Sequence, residues 1–436
     1  MKDYRFGEMI YKLRVKMRLS QSKLAEMLGV SNKAVSKWET GNAKPQLDTV
    51  KRLADIFGVS VDELLEAKEK PNEITRIVLT GGPCAGKTTA LTRIREKFTA
   101  MGYHVIVVPE TASELILGGI TPWGQNTNLD YQLCQVKLQI AKEEIYSEGA
   151  GKVFLADKVL MICDRGTMDN KAYMTDAEFS WLLSAMSLNL TELRDRYDAV
   201  FHLVSAAKGA REFYTTENND ARTECADEAA LLDDRIISAW TGHPHLRVID
   251  NSTDFDGKIN RVISEIATFL GEPEPLEIER KFLIEYPDIK ALESEPNCKR
   301  IDIIQTYLNS SAAEETRVRQ RGEDGHYVYF KTTKRKLSAI KRVETECRIT
   351  KDEYLALLME ADPTKRPIRK TRYCLIYENR YFEIDVYPFW QDRAIMEIEL
   401  SDENETVIFP PCIKIIKEVT DDDSYKNSSL AKITSV

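Results

Sequence analysis

Three kinds of hydrophobic patterning in succession predict a multidomain fold: an all-α head, an α/β middle on a parallel sheet, and an antiparallel β tail with accessory helices. Apolar residues recur at helical spacing through residues 1–68, strands alternate with helices through 73–271, and period-two alternation dominates 274–436. At 436 residues the chain exceeds one ordinary core, and its 43% hydrophobic and 30% charged residues are those of a globular, soluble protein. No window approaches the roughly 18 apolar residues of a membrane span, and "MKDYRFGEMIYKLRVK" lacks the apolar centre of a signal peptide. A cytoplasmic protein with no membrane partner is therefore expected. The eight cysteines include no CxxC pair, which argues against a zinc site or a disulfide framework. Net charge is −9 overall but +4 over residues 1–70, a cue for a separate nucleic-acid-binding module.

In the head, Ser20, Ser31 and Ser60 stand at N-cap positions and Gly29, Gly41 and Gly58 follow helix ends. Four or five short helices with three-residue turns fit a helix-turn-helix bundle. The run "LSQSKLAEMLGVSNKAVSKWETGNAKPQLDTVKRLADIFGVSVDELL" resembles the XRE (Cro/C1-type) repressor family. That resemblance implies that Gln21 anchors on the phosphate backbone of double-stranded DNA, that Asn32, Lys33, Ser36 and Lys37 read base edges or phosphates, and that Ala25, Leu28, Val30, Val35 and Trp38 are core. It also implies a homodimer when DNA is bound, since such proteins read paired half-sites. A protein–protein module of the same fold is the alternative.

In the middle, "ITRIVLTGGPCAGKTTALTRIREKF" is an apolar strand, a glycine-rich turn and an amphipathic helix, and Gly81 to Thr88 fits G-x-x-x-x-G-K-[ST]. Backbone N–H groups at a helix N-terminus cradle phosphates, so Gly81, Gly82, Gly86 and Thr89 line the site for ATP or another nucleoside triphosphate. Lys87 bridges the outer phosphates, and the Thr88 hydroxyl ligates Mg2+. Four further strands, "HVIVV", "VLMIC", "DAVFHLV" and "LRVID", complete a parallel sheet with helices on both faces, and Glu110 and Asp164–Arg165 follow two of them. These pieces resemble the P-loop kinases of nucleosides and nucleotides, a kinase-like AAA domain. By that resemblance Asp164 serves the metal and Glu110 takes the acceptor's proton. Arg211, Arg222 and Arg235 lie in a polar, mostly helical region, either as a lid on the transferred phosphoryl group or as solvated helix charge. The acceptor is not legible, and an ATPase switch without one is the alternative.

Pro273 and Pro275 form a short linker into the tail. There, same-parity charges recur strand after strand. Glu277, Glu279 and Lys281 share one face, as do Arg317, Arg319 and Arg321; Lys331 ends another run. Glu344, Glu346 and Arg348, then Lys370 and Arg372, Glu383 and Asp385, and Glu397 and Glu399 repeat the pattern. A sheet closed into a barrel or tunnel places both signs inside, where carboxylates hold divalent cations and guanidinium groups take phosphate oxygens. The E-x-E-x-K opening, the basic middle and the late "EIEL" resemble the CYTH family of triphosphate tunnel metalloenzymes. That resemblance implies Glu277, Glu279, Glu344, Glu346, Asp385, Glu397 and Glu399 as ligands of Mg2+ or Mn2+, and Lys281, Arg317, Arg319, Lys331, Lys370 and Arg372 as binders of a triphosphate-containing small molecule. Glu277, Glu279 and Lys281 would be catalytic in the tunnel, as Lys87, Asp164 and Glu110 would be at the P-loop. Arg321 and Arg348 stay unassigned, and either Lys417 or Lys432 would be the late lysine that some members use.

Two functional expectations follow. One is a metal-dependent triphosphatase, acting on inorganic triphosphate or on nucleoside or thiamine triphosphates, fused to an ATP-binding kinase-like domain and a DNA-binding head. The other is a transcriptional regulator whose P-loop and tunnel domains sense a nucleotide or polyphosphate.

Overall fold

The computed structural model describes residues 7, 10, 11, 13–15, 17 and 19–432. It leaves out 41, 60, 62, 63, 65–73, 124–127, 155–157, 211–224, 273–277, 311–313, 337–341 and 401–405, and of residues 278, 335, 336 and 342–345 it describes the backbone alone. The expectations for Gly41, Ser60, Arg211, Arg222, Pro273, Pro275 and Glu277, and for the side chain of Glu344, lie outside the described residues. The chain divides into two compact units, Met1–Glu73 with Gly151–Asp157 and Ile74–Ala150 with Lys158–Val436.

In the first unit, helices α1 (Gln21–Leu28), α2 (Asn32–Glu39) and α3 (Leu47–Phe57) follow the sequence signals closely. The Ser20 and Ser31 side chains accept hydrogen bonds from the backbone N–H groups of Lys23 and Ala34, and Gly29 and Gly58 end α1 and α3 in left-handed conformations. Leu24, Ala25, Leu28, Val35, Trp38, Val50 and Leu53 share one buried core.

The second unit contains two sheets. The first is parallel, in the order β2-β3-β1-β4-β5, from β1 (Ile74–Gly81), β2 (His104–Val108), β3 (Val159–Asp164), β4 (Ala199–Leu203) and β5 (Leu246–Ile249). Alternate residues serve opposite cores: Val78, Met161, Cys163 and Val200 face one, Ile77, Leu79, Leu160, Ile162 and Phe201 the other. That double burial explains why these strands read as continuous apolar runs. Among the helices that cover the faces are α4 (Lys87–Ala100), α5 (Thr111–Leu117), α6 (Asn128–Val153), α7 (Asp176–Ala185), α8 (Leu190–Arg194), α9 (Ala226–Trp240) and α10 (Phe255–Phe269).

The second sheet is antiparallel, with nine strands in the order β10-β9-β8-β7-β11-β12-β13-β6-β14. They are β6 (Ile278–Glu285), β7 (Cys298–Tyr307), β8 (Glu314–Glu323), β9 (His326–Lys336), β10 (Arg342–Ile349), β11 (Ile368–Tyr377), β12 (Arg380–Val386), β13 (Arg393–Leu400) and β14 (Ile415–Glu418), with α11 (Ile289–Ser294), α12 (Lys351–Leu357) and α13 (Asn427–Leu430) beside them. The sheet curls. Lys334 of β9 acts electrostatically on Glu279 of β6, although the two strands lie six places apart, about 29 Å in a flat sheet. One face carries the apolar set Phe282, Ile284, Phe382, Ile384, Met396 and Ile398. The concave face carries the charges, bounded at one end by Leu283, Tyr307, Ile368, Tyr387, Ile395 and the C-terminal Ala431.

The other end of the concave face meets the parallel-sheet part. Ile376 packs into that part's core, and the Tyr381 hydroxyl donates to the carbonyl of His243 at 2.9 Å. At the centre of this joint is buried Asp195. Arg194 donates to it from Nε at 2.7 Å and Arg321 from Nη1 at 3.0 Å, while Arg348 donates to its backbone carbonyl at 2.8 Å. Arg321 also donates to the carbonyl of Gly242 at 2.8 Å, and Arg194 to Glu323 at 3.1 Å. Arg321 and Arg348, unassigned from sequence, are thus joint residues. No helix among the described residues is long and apolar enough to cross a membrane.

Burial pushes the Asp195 carboxyl up, but Arg194 and Arg321 together outweigh it and hold it at about 2. Its stabilising contribution is therefore present above the ordinary carboxylate range and lost as pH falls from about 4 to about 2. Asp195→Ala strands two buried guanidinium groups and is expected to cost about 3–5 kcal/mol. Urea unfolding of the variant against wild type at pH 7 and at pH 3 measures both: the deficit is expected to be large at pH 7 and smaller at pH 3.

Candidate functional site

The glycine-rich turn between β1 and α4 is built as the motif requires. Gly86 has φ +88°, and a Cβ there would meet the Phe255 ring at 2.7 Å; a Cβ on Gly81 would lie 2.1 Å from the carbonyl oxygen of Leu203. Gly82 donates its N–H to Asp233 Oδ1 at 2.8 Å, and the Ser205 N–H (3.1 Å) and His202 Nε2 (3.0 Å) meet the same oxygen. This buried carboxylate on α9 braces the turn from behind. It went unnoticed in the sequence because nothing there marks it among the other acids of α9.

Lys87 Nζ donates to the Gly81 carbonyl at 3.1 Å, folded onto the turn it would leave for a phosphate. Burial, then the nearby Arg165, lowers its pKa to about 8. Thr88 and Thr89 are exposed on the first turn of α4. Glu110 and Asp164 converge here from the ends of β2 and β3. Arg165, at φ +69°, donates from Nε to Glu110, and Ser113 Oγ donates to Glu110 at 2.6 Å. Burial raises the Glu110 pKa, but Arg165 and Lys87 hold it at about 2, so as it stands Glu110 is a poor proton acceptor. Asp164 behaves oppositely: burial raises its pKa, and its buried Oδ1 has no hydrogen-bond partner among the described residues. An orphaned carboxylate oxygen beside the Thr88 turn fits a hard divalent cation. Arg235 is exposed on α9.

On the concave face of the antiparallel sheet, register decides which charges meet. Residues directly opposite each other share a face, and following the pairs from strand to strand brings Glu279, Lys281, Arg317, Arg319, Arg321, Glu346, Lys370, Arg372, Glu383, Asp385, Glu397 and Glu399 onto one side. Lys331 is the exception. It pairs with Val318 of β8 and Cys347 of β10 and so lies on the opposite face, while Thr332 and Lys334 take the concave positions in β9. The expectation for Lys331 as a phosphate binder is corrected accordingly, and Lys334 and Glu383 join the concave set.

Two carboxylate pairs stand directly opposite each other, Glu383 with Glu397 and Glu399 with Glu279, an arrangement that destabilises a sheet unless cations compensate. Arg372 donates to Glu383, to Asp385 from Nε and Nη2 at 2.7 Å each, and to Glu397 at 3.0 Å. Lys281 lies 2.8 Å from Glu397 and 3.7 Å from Glu279, and Lys370 pairs with Asp385. Across the curl, Glu346 accepts from Thr332 at 2.7 Å and from Arg319 at 3.5 Å. Glu279 stands apart: burial, then the Glu397 charge, pushes its pKa up to about 8. Yet 43% of its side chain is reached by solvent, so it is crowded by protein and still wet, as the wall of a bore is. Among the described residues no three His, Cys, Asp or Glu are arranged as a ready metal cage. The donor set is nonetheless all oxygen, and a divalent cation would relieve the crowding at Glu279. Of the late lysines, Lys417 lies 3.7 Å from Asp422, and the backbone of Lys432 pairs with that of Lys365 in an isolated antiparallel β-bridge.

In the head, Asn32, Lys33 and Lys37 are exposed on α2 and Ser36 partly so. Gln21 donates to Glu39 at 2.7 Å, beside Arg14 on the same carboxylate.

A helix-turn-helix family model matches residues 10–64 and an AAA domain model residues 76–258. The inorganic triphosphatase of Nitrosomonas europaea is 31% identical over 159 residues, which is 36% of this chain and 96% of that protein. A crystal structure of an inorganic triphosphatase is similar at 30% identity with a TM-score of 0.27, over 37% of this chain and 97% of that one. The HTH-type transcriptional activator BcrR of Enterococcus faecalis is 42% identical over 64 residues, 15% of this chain; the chain spans 31% of that relative's length.

Lys87→Ala is expected to abolish ATP binding. In the unaltered protein, ATP affinity should weaken as pH rises through about 8, because Lys87 loses its proton there. Titration with a fluorescent ATP analogue across pH 6.5–9 checks both, and unchanged affinity in the variant removes the phosphate-cradle assignment.

Proposed function

We propose, for a chain that belongs in its C-terminal part to the inorganic triphosphatase family, that the concave charged belt binds and hydrolyses a triphosphate with a divalent metal, and that the P-loop part binds ATP. The single observation that carries this is the facing of like carboxylates, Glu383 with Glu397 and Glu399 with Glu279, inside a ring of lysines and arginines. A surface sheet gains nothing from that arrangement, whereas a container for a polyanion with its counter-cation needs both sets.

Lys281, Lys370, Arg372, Arg317, Arg319 and Lys334 would exchange carboxylate partners for phosphate oxygens, and the planar guanidinium groups fix orientation by paired hydrogen bonds. Glu279, Glu397, Glu399, Glu383 and Asp385 would hold Mg2+ or Mn2+, with Glu277 and Glu344 as further candidates. A bound cation would neutralise phosphate oxygens and lower the pKa of water. Burial and the Glu397 charge favour the protonated form of Glu279, which would have to release its proton to act as a ligand, so metal affinity should rise as pH approaches about 8. At the P-loop, Lys87 and the backbone of the turn would hold the nucleotide phosphates, Thr88 and Asp164 the cation, and Arg165 would keep Glu110 in place. Whether that part transfers a phosphoryl group or works as an ATPase depends on an acceptor.

Purified full-length protein with Mg2+ or Mn2+ is expected to release phosphate from inorganic triphosphate, and Lys281→Ala or Glu397→Gln to lower kcat/KM on the order of 100-fold. Triphosphate left intact after prolonged incubation overturns the reading. The half-saturating metal concentration should fall between pH 6.5 and 8.5.

A second reading, ligand-dependent DNA binding, is favoured by the exposed polar face of α2 in the same chain as two phosphate-binding parts. It requires a ligand with different affinity for the DNA-competent state. Binding to the chain's own upstream DNA, measured with and without ATP and triphosphate, should differ; equal affinity throughout counts against it.

A further inference from the structure

The joint between the two sheets does more than seal one end of the concave face. His245 and Arg247, two residues apart across the start of β5, project into the charged belt. His245 Nε2 lies 3.7 Å from Glu346 Oε1 of β10, and Arg247 Nη2 forms an ion pair with Glu399 of β13. Strands β10 and β13 are six places apart in the sheet, so this edge strand of the parallel sheet spans the gap that the curl leaves. The Arg247 guanidinium also lies 3.7 Å from Glu265 of α10 and donates to the Leu246 carbonyl at 3.3 Å. Burial notwithstanding, Glu399 and Glu265 keep it charged. It sits on the Glu399 and Glu279 pair, the most solvent-reached part of the belt among the described residues, where those side chains are 39% and 43% exposed.

We infer that Arg247, supplied by the ATP-binding part, is a phosphate-binding residue of the triphosphate channel. Glu399 parks its guanidinium until a polyanion arrives, and the channel is incomplete without the parallel sheet. Among the described residues, three basic groups that the antiparallel sheet itself supplies to the belt are each paired to a carboxylate in the same way: Arg372 with Asp385, Lys281 with Glu397, Arg319 with Glu346. Arg247 repeats that arrangement from the opposite wall. Its ion pair with Glu399 places it at one of the two carboxylate pairs, and the charge of Glu383, in the other, also acts on it. The inference rests on the triphosphatase reading of the channel and adds a residue that a stand-alone tunnel would lack.

The test is equilibrium binding of inorganic triphosphate by calorimetry in EDTA, using full-length protein in the Lys87→Ala background so that the P-loop contributes nothing. Arg247→Ala is expected to weaken binding on the order of tenfold, the difference of one charge-assisted hydrogen bond, and Arg247→Lys to retain part of the affinity. Glu399→Gln should tighten binding when Arg247 is present, by releasing its guanidinium, and should lose that effect in the Arg247→Ala background. Equal affinity with and without Arg247, in variants whose thermal unfolding matches the parent, overturns the inference, as does a Glu399→Gln effect of the same size in both backgrounds. A parent that binds triphosphate with this Arg247 dependence but releases no phosphate with metal overturns the hydrolytic reading and leaves the inference standing. A parent that binds no triphosphate overturns both.

Discussion

Two like charges directly across a strand pair repel, and in this chain that repulsion is built in twice, at Glu383 with Glu397 and at Glu399 with Glu279. Most features of the antiparallel sheet can be understood as compensation for it. Arg372 bridges three acids, Lys281 reaches two, and the sheet curls until Lys334 of β9 acts on Glu279 of β6. With the acids removed, the lysines and arginines would repel one another in their place. The belt is stable only as a balanced set, and any cation or anion that enters must take over a partner from a group already there.

How much of this was legible in the sequence differs from element to element. The head was readable because helix caps are local: Ser20, Ser31, Gly29 and Gly58 each announce an end within a few residues. The phosphate turn was readable because its glycines are forced by contacts, Gly86 against Phe255 and Gly81 against the backbone of β4. In the tail, parity within a strand was visible and placed most of the charges on a shared face. Register between strands was not visible. Lys331 was therefore assigned to the wrong face, one position from Thr332 and three from Lys334, which do face the belt. Asp233 and Arg247 were invisible for another reason: each acts on a site whose other residues lie far away in the chain, and neither carries a motif.

The two sheets of the second unit also divide the labour of burial differently. In the parallel sheet both faces are apolar, and function sits at the strand ends, where Glu110, Asp164 and the glycine turn gather. In the antiparallel sheet one face is apolar and the other is the site itself, so its charged residues are held by ion pairs rather than by loops. The first design offers backbone groups to a ligand; the second offers side chains.

The Asp195 joint has a consequence for how this chain can be taken apart. Cutting between the parallel and antiparallel halves would uncover Ile376 and Tyr381, leave Asp195 with Arg194 alone, and strip Arg321 and Arg348 of the acid and carbonyl they reach across the joint. Each fragment would carry a sticky, mismatched scar. The fusion is a weld, and the two halves are expected to fold and misfold as one piece.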